Sequence, residues 1–297
     1  MKRLLSSTAS EVMNMTKKEL LQSIKASSGR IILAENDVVI PPFAGNITNS
    51  EVVSAFGADL ILLNCLDLNE LSIIGLDYTD EPIKRLKELT GKPIGVNLEP
   101  VDSSAELESS LIGISNGRTA SVANLIKAQE LGFDFICLTG NPGTGVSNKE
   151  ISNAIEDATK YFNGMIIAGK MHSAGVSEKI IDHKTIDSFV LAGADIILVP
   201  VAGTVPGFSE EEMREACFYI QKNGKLAMSA IGTTQEGADE GTIRSLALTS
   251  KRAGADIQHI GDAGFNGTAD PENIMALSIA IRGKRHTYLK MAQSINR

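Results

Sequence analysis

The chain of 297 residues contains no tryptophan, only 4% aromatic residues and three cysteines. Cys65, Cys137 and Cys217 are odd in number, far apart and set in apolar runs. They offer no disulfide framework and read as small core residues of a reducing compartment. Long apolar runs are missing too: none approaches the ~20 residues that a membrane helix needs. The opening MKRLL is followed by the polar stretch SSTASEVMNMTKKE, where a secretory signal would carry an apolar core. Positive charge is scarce, with 28 Lys and Arg against 36 Asp and Glu and a formal net charge of -8. The one basic cluster, GKRHTYLK near the C-terminus, suits a solvated tail better than a surface that displaces counterions from phosphates. The expectation is a cytoplasmic protein with neither nucleic acid nor membrane as its partner.

What is present is periodicity. The word AGADI occurs at residues 192–196 and again at 253–257, and it belongs to a longer series. Gly57, Gly132, Gly193 and Gly254 each stand two residues before an aspartate and an apolar run: LILLN, FICLTG, IILVP and IQHIG. Gly29, Gly91, Gly164 and Gly224 interleave with them ahead of IILAEN, PIGVNLE, IIAGKMH and LAMSAIG. Subtracting the positions 29, 57, 91, 132, 164, 193, 224 and 254 in order gives intervals of 28, 34, 41, 32, 29, 31 and 30 residues. Each interval holds a strand, a helix and two short loops. A glycine at each helix end provides the left-handed residue that stops the helix. Ser147-x-x-Glu150 and Ser209-x-x-Glu212 read as capping boxes, and Pro82 and Pro271 as first-turn prolines. The strands are continuous apolar runs, as expected for a parallel sheet buried on both faces.

Eight such units predict an α/β fold, a (β/α)8 TIM barrel spanning residues 29–297 as one domain. Residues 1–28 form an N-terminal extension whose extra helix starts at Thr16-x-x-Glu19 and turns Leu20, Leu21 and Ile24 toward the barrel floor or a neighbouring subunit. An open doubly wound sheet would show a Gly-rich nucleotide fingerprint after its first strand, where this chain has AENDVVIPP.

Active sites of such barrels gather where strands end, so the strand endings supply the candidates. They are Glu35, Asn64, Asp67, Asn97, Glu99, Thr139, Asn141, Lys170, His172, Thr233, His259 and Asp262. Lys170 and His172 lie two apart and share a face, as do Asn97 and Glu99; spacing alone leaves open whether that face is the inner one. Carboxylates at an apolar mouth are costly unless paired or used, which singles out Glu35 and Glu99, with a structural pairing to Lys170 as the alternative. His259 reads either as catalytic or as a hydrogen-bonded core histidine, and His183, in a helical stretch, has no role. Asn64, Asn97, Thr139 and Asn141 read as substrate contacts or as supports of loop backbone. Gly232 and Thr233 after strand seven, and Gly261, Asp262 and Gly264 after strand eight, lie in Gly-rich loops that could bring backbone N–H groups to an anion. The long loop PVDSSAELESSLIGISNGR after strand three reads as a lid.

With its eight units, its AGAD strand openings and the endings IGTT and IGDAG, the chain resembles the phosphate-binding TIM barrels, the group of ribulose-phosphate epimerases and indole-glycerol-phosphate synthases. It also resembles an uncharacterised bacterial group of barrels, some labelled hydrolases. The first resemblance implies an isomerase, epimerase or aldolase-type lyase acting on a small phosphorylated or carboxylated metabolite. Lys170 would serve as electrophile or Schiff-base former, Glu99 as base or lysine partner and His172 as proton donor. A second reading is a Mg2+-dependent lyase or hydrolase with Glu35, Asp67 and Glu99 as oxygen ligands. A third is a non-catalytic sensor of sugar phosphates. A homo-oligomer is expected under each.

Overall fold

The computed structural model describes residues 2–102, 104–106 and 110–297. Strands β1 (Ile31–Asp37), β2 (Leu60–Asn64), β3 (Ile94–Leu98), β4 (Phe135–Leu138), β5 (Met165–Gly169), β6 (Ile196–Pro200), β7 (Leu226–Ile231) and β8 (Ile257–Ile260) pair in parallel and close into a barrel, β8 returning to β1. Ahead of it lie α1 (Ala9–Met13) and α2 (Lys17–Lys25). Around it run α3 (Asn49–Ala55), α4 (Pro82–Thr90), α5 (Val122–Glu130), α6 (Asn148–Tyr161), α7 (His183–Ala192), α8 (Glu210–Lys222), α9 (Glu240–Ala253) and α10 (Pro271–Ala292), the last broken at Gly283. This is the expected (β/α)8 barrel. Ser103 and residues 107–109 of the expected lid lie outside the described residues.

Local chemistry accounts for the element ends. Thr16, Thr48 and Ser209 complete capping boxes with Glu19, Glu51 and Glu212, and Pro82 and Pro271 sit in first turns. Both AGADI glycines, Gly193 and Gly254, are left-handed C-caps. Gly164 departs from the expectation, since its φ is not positive. It is needed for close approach, because a Cβ there would lie 2.5 Å from the Asp134 carbonyl oxygen.

The repeated aspartate has its own task at the barrel floor. Asp59, Asp134, Asp195 and Asp256 each donate their N–H to the carbonyl of a residue in the preceding odd strand, Ile32, Ile94, Ile166 and Ala227, at 2.8–2.9 Å. Each carboxylate then accepts the N–H of that same residue, at 3.0, 2.8, 2.8 and 3.0 Å. Four two-point clasps therefore tie β2, β4, β6 and β8 to β1, β3, β5 and β7. A second partner attends each carboxylate: Arg282, Lys87, Lys17 and Gln221 respectively.

Side-chain alternation divides the core in two. Ile31, Leu33, Leu62, Phe135, Ile167, Leu198, Met228 and Ile257 fill the barrel, and Leu20 and Ile24 of α2 close its floor beneath them. Ile32, Ile61, Val96, Ile136, Ile166, Ile197 and Ala227 pack outward against the helices. Inside, Phe135 lies over Gly95, where a Cβ would come within 2.1 Å of the ring.

Two expected outcomes follow from this packing. Asp256→Ala should cost about 1–3 kcal/mol, the penalty for leaving a buried N–H unpaired, and should speed hydrogen exchange at Ala227, whereas Asp256→Asn keeps an acceptor and most of the stability. Gly95→Ala should cost about 1–3 kcal/mol through overpacking, read as a lowered Tm by calorimetry.

Candidate active site

The C-terminal mouth of the barrel holds a cavity of about 580 Å³. Strand parity decides what enters it. The inward rows of β1, β2, β3 and β4 end in Glu35, Asn64, Asn97 and Thr139, all lining residues. Asn141, Met171, His172, Thr233, Glu236, Gly261 and Asp262 complete the wall from the loops.

Three asparagines form the centre of this wall. Asn64 Nδ2 donates to Asn141 Oδ1 and to Asp262 Oδ2, both at 2.9 Å, while its Oδ1 accepts from Asn97 Nδ2 at 3.0 Å and Asn141 Nδ2 at 3.1 Å. Behind Asn141 stands Glu99, buried, which accepts the Asn141 backbone N–H at 2.8 Å and its amide at 2.9 Å. Arg118 neutralises Glu99 at 2.6 Å. Glu99 thus holds Asn141 in place and does not itself line the cavity. Its expected partnership with Lys170 is replaced by Arg118.

Lys170 continues the outward row of Ile166 and Ala168 and is buried on the helix side of β5. Its ammonium reaches Glu178 at 2.6 Å and the carbonyls of Val146 and Ser173 at 3.3 Å. Lys170, expected as the electrophile, therefore stands behind the wall and is not among the residues lining the cavity. His172 gains the mouth only because the chain has left the strand. Its Nδ1 accepts the Ala174 N–H at 3.0 Å. Burial and the nearby Lys170 lower its pKa to about 4, so it is neutral with the proton on Nε2.

Glu35 and His259 meet where β1 pairs with β8, with Nε2···Oε2 at 3.0 Å and both side chains buried. Burial, reinforced by Glu236, Glu99 and Asp37, raises the Glu35 pKa to about 8. Burial lowers that of His259 to about 4. The pair therefore stays neutral around pH 7, one proton lying along the hydrogen bond. Asp262 is raised to about 7 by burial and by Glu35.

A carboxylate stands among the Gly-rich loops that were expected to bring N–H groups to an anion. Glu236 is buried beside Gly261, where a Cβ would meet its Oε1 at 2.6 Å, and it accepts the Ala263 N–H at 3.1 Å. An N–H that an anion would need is thus already given to a carboxylate, whose own pKa burial raises. Gly264 packs on the Thr268 carbonyl and Gly232 on the Met171 sulfur, away from the opening. Thr233 and Thr234 adopt left-handed φ of 59° and 70°, a strained conformation for β-branched residues. Among the described residues no Lys or Arg lines the cavity.

The expected metal set is also dispersed. Asp67 turns away to accept the Asn69 N–H at 2.7 Å, Glu99 serves Arg118 and Asn141, and Glu35 serves His259. Among the described residues no three His, Cys, Asp or Glu side chains are grouped to hold a metal ion. Glu236 and Arg118 were missed in the sequence, although a carboxylate within IGTTQEG and an arginine closing the strand-three loop were there to be weighed. Among the described residues, no helix is long and apolar enough to cross a membrane.

Solved structures similar to this chain share its fold. An archaeal fructose 1,6-bisphosphate aldolase has 15% identity and a TM-score of 0.56 over 89% of this chain and 98% of its own. A 2,3-dimethylmalate lyase, a member of the PEP mutase/isocitrate lyase superfamily, has 11% identity and a TM-score of 0.51 over 83% and 81%. The carboxyl transferase domain of Rhizobium etli pyruvate carboxylase with 3-bromopyruvate has 13% identity and a TM-score of 0.52, covering 98% of this chain and 52% of that one. This chain thus spans about half of the carboxyl transferase chain, and 29% of the longer pyruvate carboxylase chain. No curated protein matches the sequence. The chain belongs to the family described as Domain of unknown function (DUF7916), whose profile matches residues 5–297.

Proposed function

We propose that this chain is an enzyme of the lyase or isomerase type, moving protons on a small, uncharged, hydroxylated carbonyl compound in the barrel mouth. The observation that carries the reading is a pair of acids lining one cavity, Glu35 against His259 and Asp262 against the Asn64 amide, each with its proton affinity raised by burial. The Asn64 amide donates to Asp262 and favours its carboxylate, whereas Glu35 faces a neutral His259 and keeps its proton, the division of roles that general acid–base catalysis requires. Asp262 would take a proton from carbon or hydroxyl, Glu35 would give one, and His259 would keep the Glu35 proton in place.

Binding groups support the same substrate class. Asn97 Oδ1, Thr139 Oγ1 and Glu236 Oε2 are buried without a hydrogen-bond partner among the described residues, and all three residues line the cavity. Together with the Nε2–H of His172 they offer two donors and two or three acceptors, suited to hydroxyls and a carbonyl. The acidic wall disfavours the phosphorylated or carboxylated metabolite expected from the glycine loops. An aldolase and a lyase among the similar barrels accord with this class, and the likeness supports the scaffold that would host it.

Unphosphorylated hydroxyketones and ketoses should raise the melting temperature saturably. Asn64→Ala, which releases Asn97, Asn141 and Asp262 together, should remove that shift; stabilisation by sugar phosphates alone would sink the uncharged-substrate reading. Solvent deuterium incorporation into a stabilising compound, followed by NMR, should fall by about 10²–10⁴ in Glu35→Gln and in Asp262→Asn. An unchanged rate in either variant removes that residue from the chemistry.

Stability offers an independent check on Glu35. Its folded pKa lies above its ordinary 4.5, so the folded state holds a proton that the unfolded chain has lost between 4.5 and about 8. The contribution of Glu35 to wild-type stability therefore declines across that window by up to about 1.4 kcal/mol per pH unit. Glu35→Gln escapes this decline, so its advantage over wild type in denaturant melts should grow from pH 4.5 to about 8 and then level off.

A further inference from the structure

Proton transfer beside a carbonyl needs a third group besides an acid and a base. When the α-proton leaves, the electron pair of the broken C–H bond forms C=C, and the carbonyl pair moves onto oxygen, where negative charge develops. A lysine or arginine could offset that charge, but among the described residues none lines the cavity, and Lys170 is turned to Glu178 behind the wall.

His172 has the geometry for the task. It lines the cavity from the turn after β5, and its Nδ1 accepts the Ala174 N–H at 3.0 Å. A neutral imidazole whose Nδ1 accepts a hydrogen bond carries its proton on Nε2. Only Nδ1 is engaged among the described residues, so Nε2–H is left as a donor at the cavity wall.

The turn behind the ring is fixed from several sides. Ala174 is buried with a left-handed φ of 53°, uncommon for a residue with a Cβ, and in this conformation its N–H meets the ring two residues before it. Its carbonyl accepts the Gly145 N–H at 3.0 Å, and its Cβ sits beneath Gly140, where a second Cβ would lie 3.1 Å away. The Ser173 carbonyl accepts the Val176 N–H at 3.0 Å and the Lys170 ammonium at 3.3 Å. Strained backbone persists only where its surroundings over-determine it, as here. Burial and the Lys170 ammonium also oppose a second proton on the ring, against a pull from Glu99, and its pKa falls to about 4.

We propose that His172 is the electrophile of the barrel mouth, a neutral imidazole whose Nε2–H, oriented by the Ala174 backbone, hydrogen-bonds the substrate carbonyl oxygen and the oxyanion that forms from it. This inference rests on the proton-transfer reading of the site and gives His172 the role expected of Lys170. Asp262 takes the α-proton, the C–H pair becomes the C=C bond, and Glu35 protonates the oxygen that His172 has polarised, giving an enediol. For isomerisation Glu35 then takes the proton of the other hydroxyl and Asp262 returns its own to the former carbonyl carbon, which restores both acids. Ala174 and Lys170 act through the ring and are positioning residues.

Two measurements test this. In protein labelled with 15N-histidine, long-range 1H–15N spectra, with His172 assigned by the signal lost in His172→Gln, should show a neutral Nε2–H tautomer around pH 7. A charged ring or the Nδ1–H tautomer there overturns the proposal. In the deuterium-incorporation assay His172→Ala should lower kcat by about 10²–10³ with KM little changed, the loss typical of one oxyanion donor. His172→Gln, which offers an amide N–H in place of the ring's, should recover part of it. A merely structural side chain would lower Tm and leave the kcat of the folded fraction intact. Exchange that persists undiminished in His172→Ala, or a loss confined to KM, therefore overturns this inference and spares Glu35 and Asp262. Exchange absent from wild type with every hydroxyketone and ketose overturns the proton-transfer reading itself, and this inference with it.

Discussion

The aspartate clasps on the barrel floor are the constraint from which the site descends. A parallel barrel has no hairpins to set its register, so each β2, β4, β6 and β8 strand must be placed against its neighbour by other means. Asp59, Asp134, Asp195 and Asp256 do so with two hydrogen bonds each. A slip of one residue would turn every inward side chain outward. Glu35, Asn64, Asn97 and Thr139 reach one cavity because the clasps below them hold parity.

The two ends of the barrel carry opposite electrostatics. At the mouth, carboxyl groups are desolvated with no lysine or arginine on the cavity wall among the described residues, and their proton affinity rises; Glu35, Asp262 and Glu236 all respond in this direction. At the floor, burial with Lys290 and Arg282 nearby makes Lys92 lose affinity for its proton, the shift opposite in sign. Glu99 is buried too, but it is paired with Arg118 and orients an asparagine. The unmatched acids and the strained Thr233 and Thr234 cost folding free energy, a cost that functional sites commonly carry.

Much of the architecture was legible because it is local. Glycine spacing, capping residues and apolar runs are short-range signals, and they located the strands and the two terminal prolines of α4 and α10. At the glycine loops the local signal is incomplete. Gly261 and Gly264 read as openings toward an anion, yet each leaves room for a neighbouring protein group: the Glu236 carboxylate at one and the Thr268 carbonyl at the other.

By itself, the sequence determined the eightfold βα rhythm, the barrel and the strand ends from which a site is built, since period and capping are encoded within a few residues. Only the tertiary structure decided which of those residues work together. Alternation predicts that Lys170 and His172 face alike, but β5 ends at Gly169 and only His172 lines the cavity, the inward row belonging to Met165, Ile167 and Met171. Glu35 and His259 stand 224 residues apart and become partners only through closure of β1 on β8. Their protonation, like that of Asp262, is set by burial, and burial is a property of the assembled barrel that no stretch of sequence carries alone.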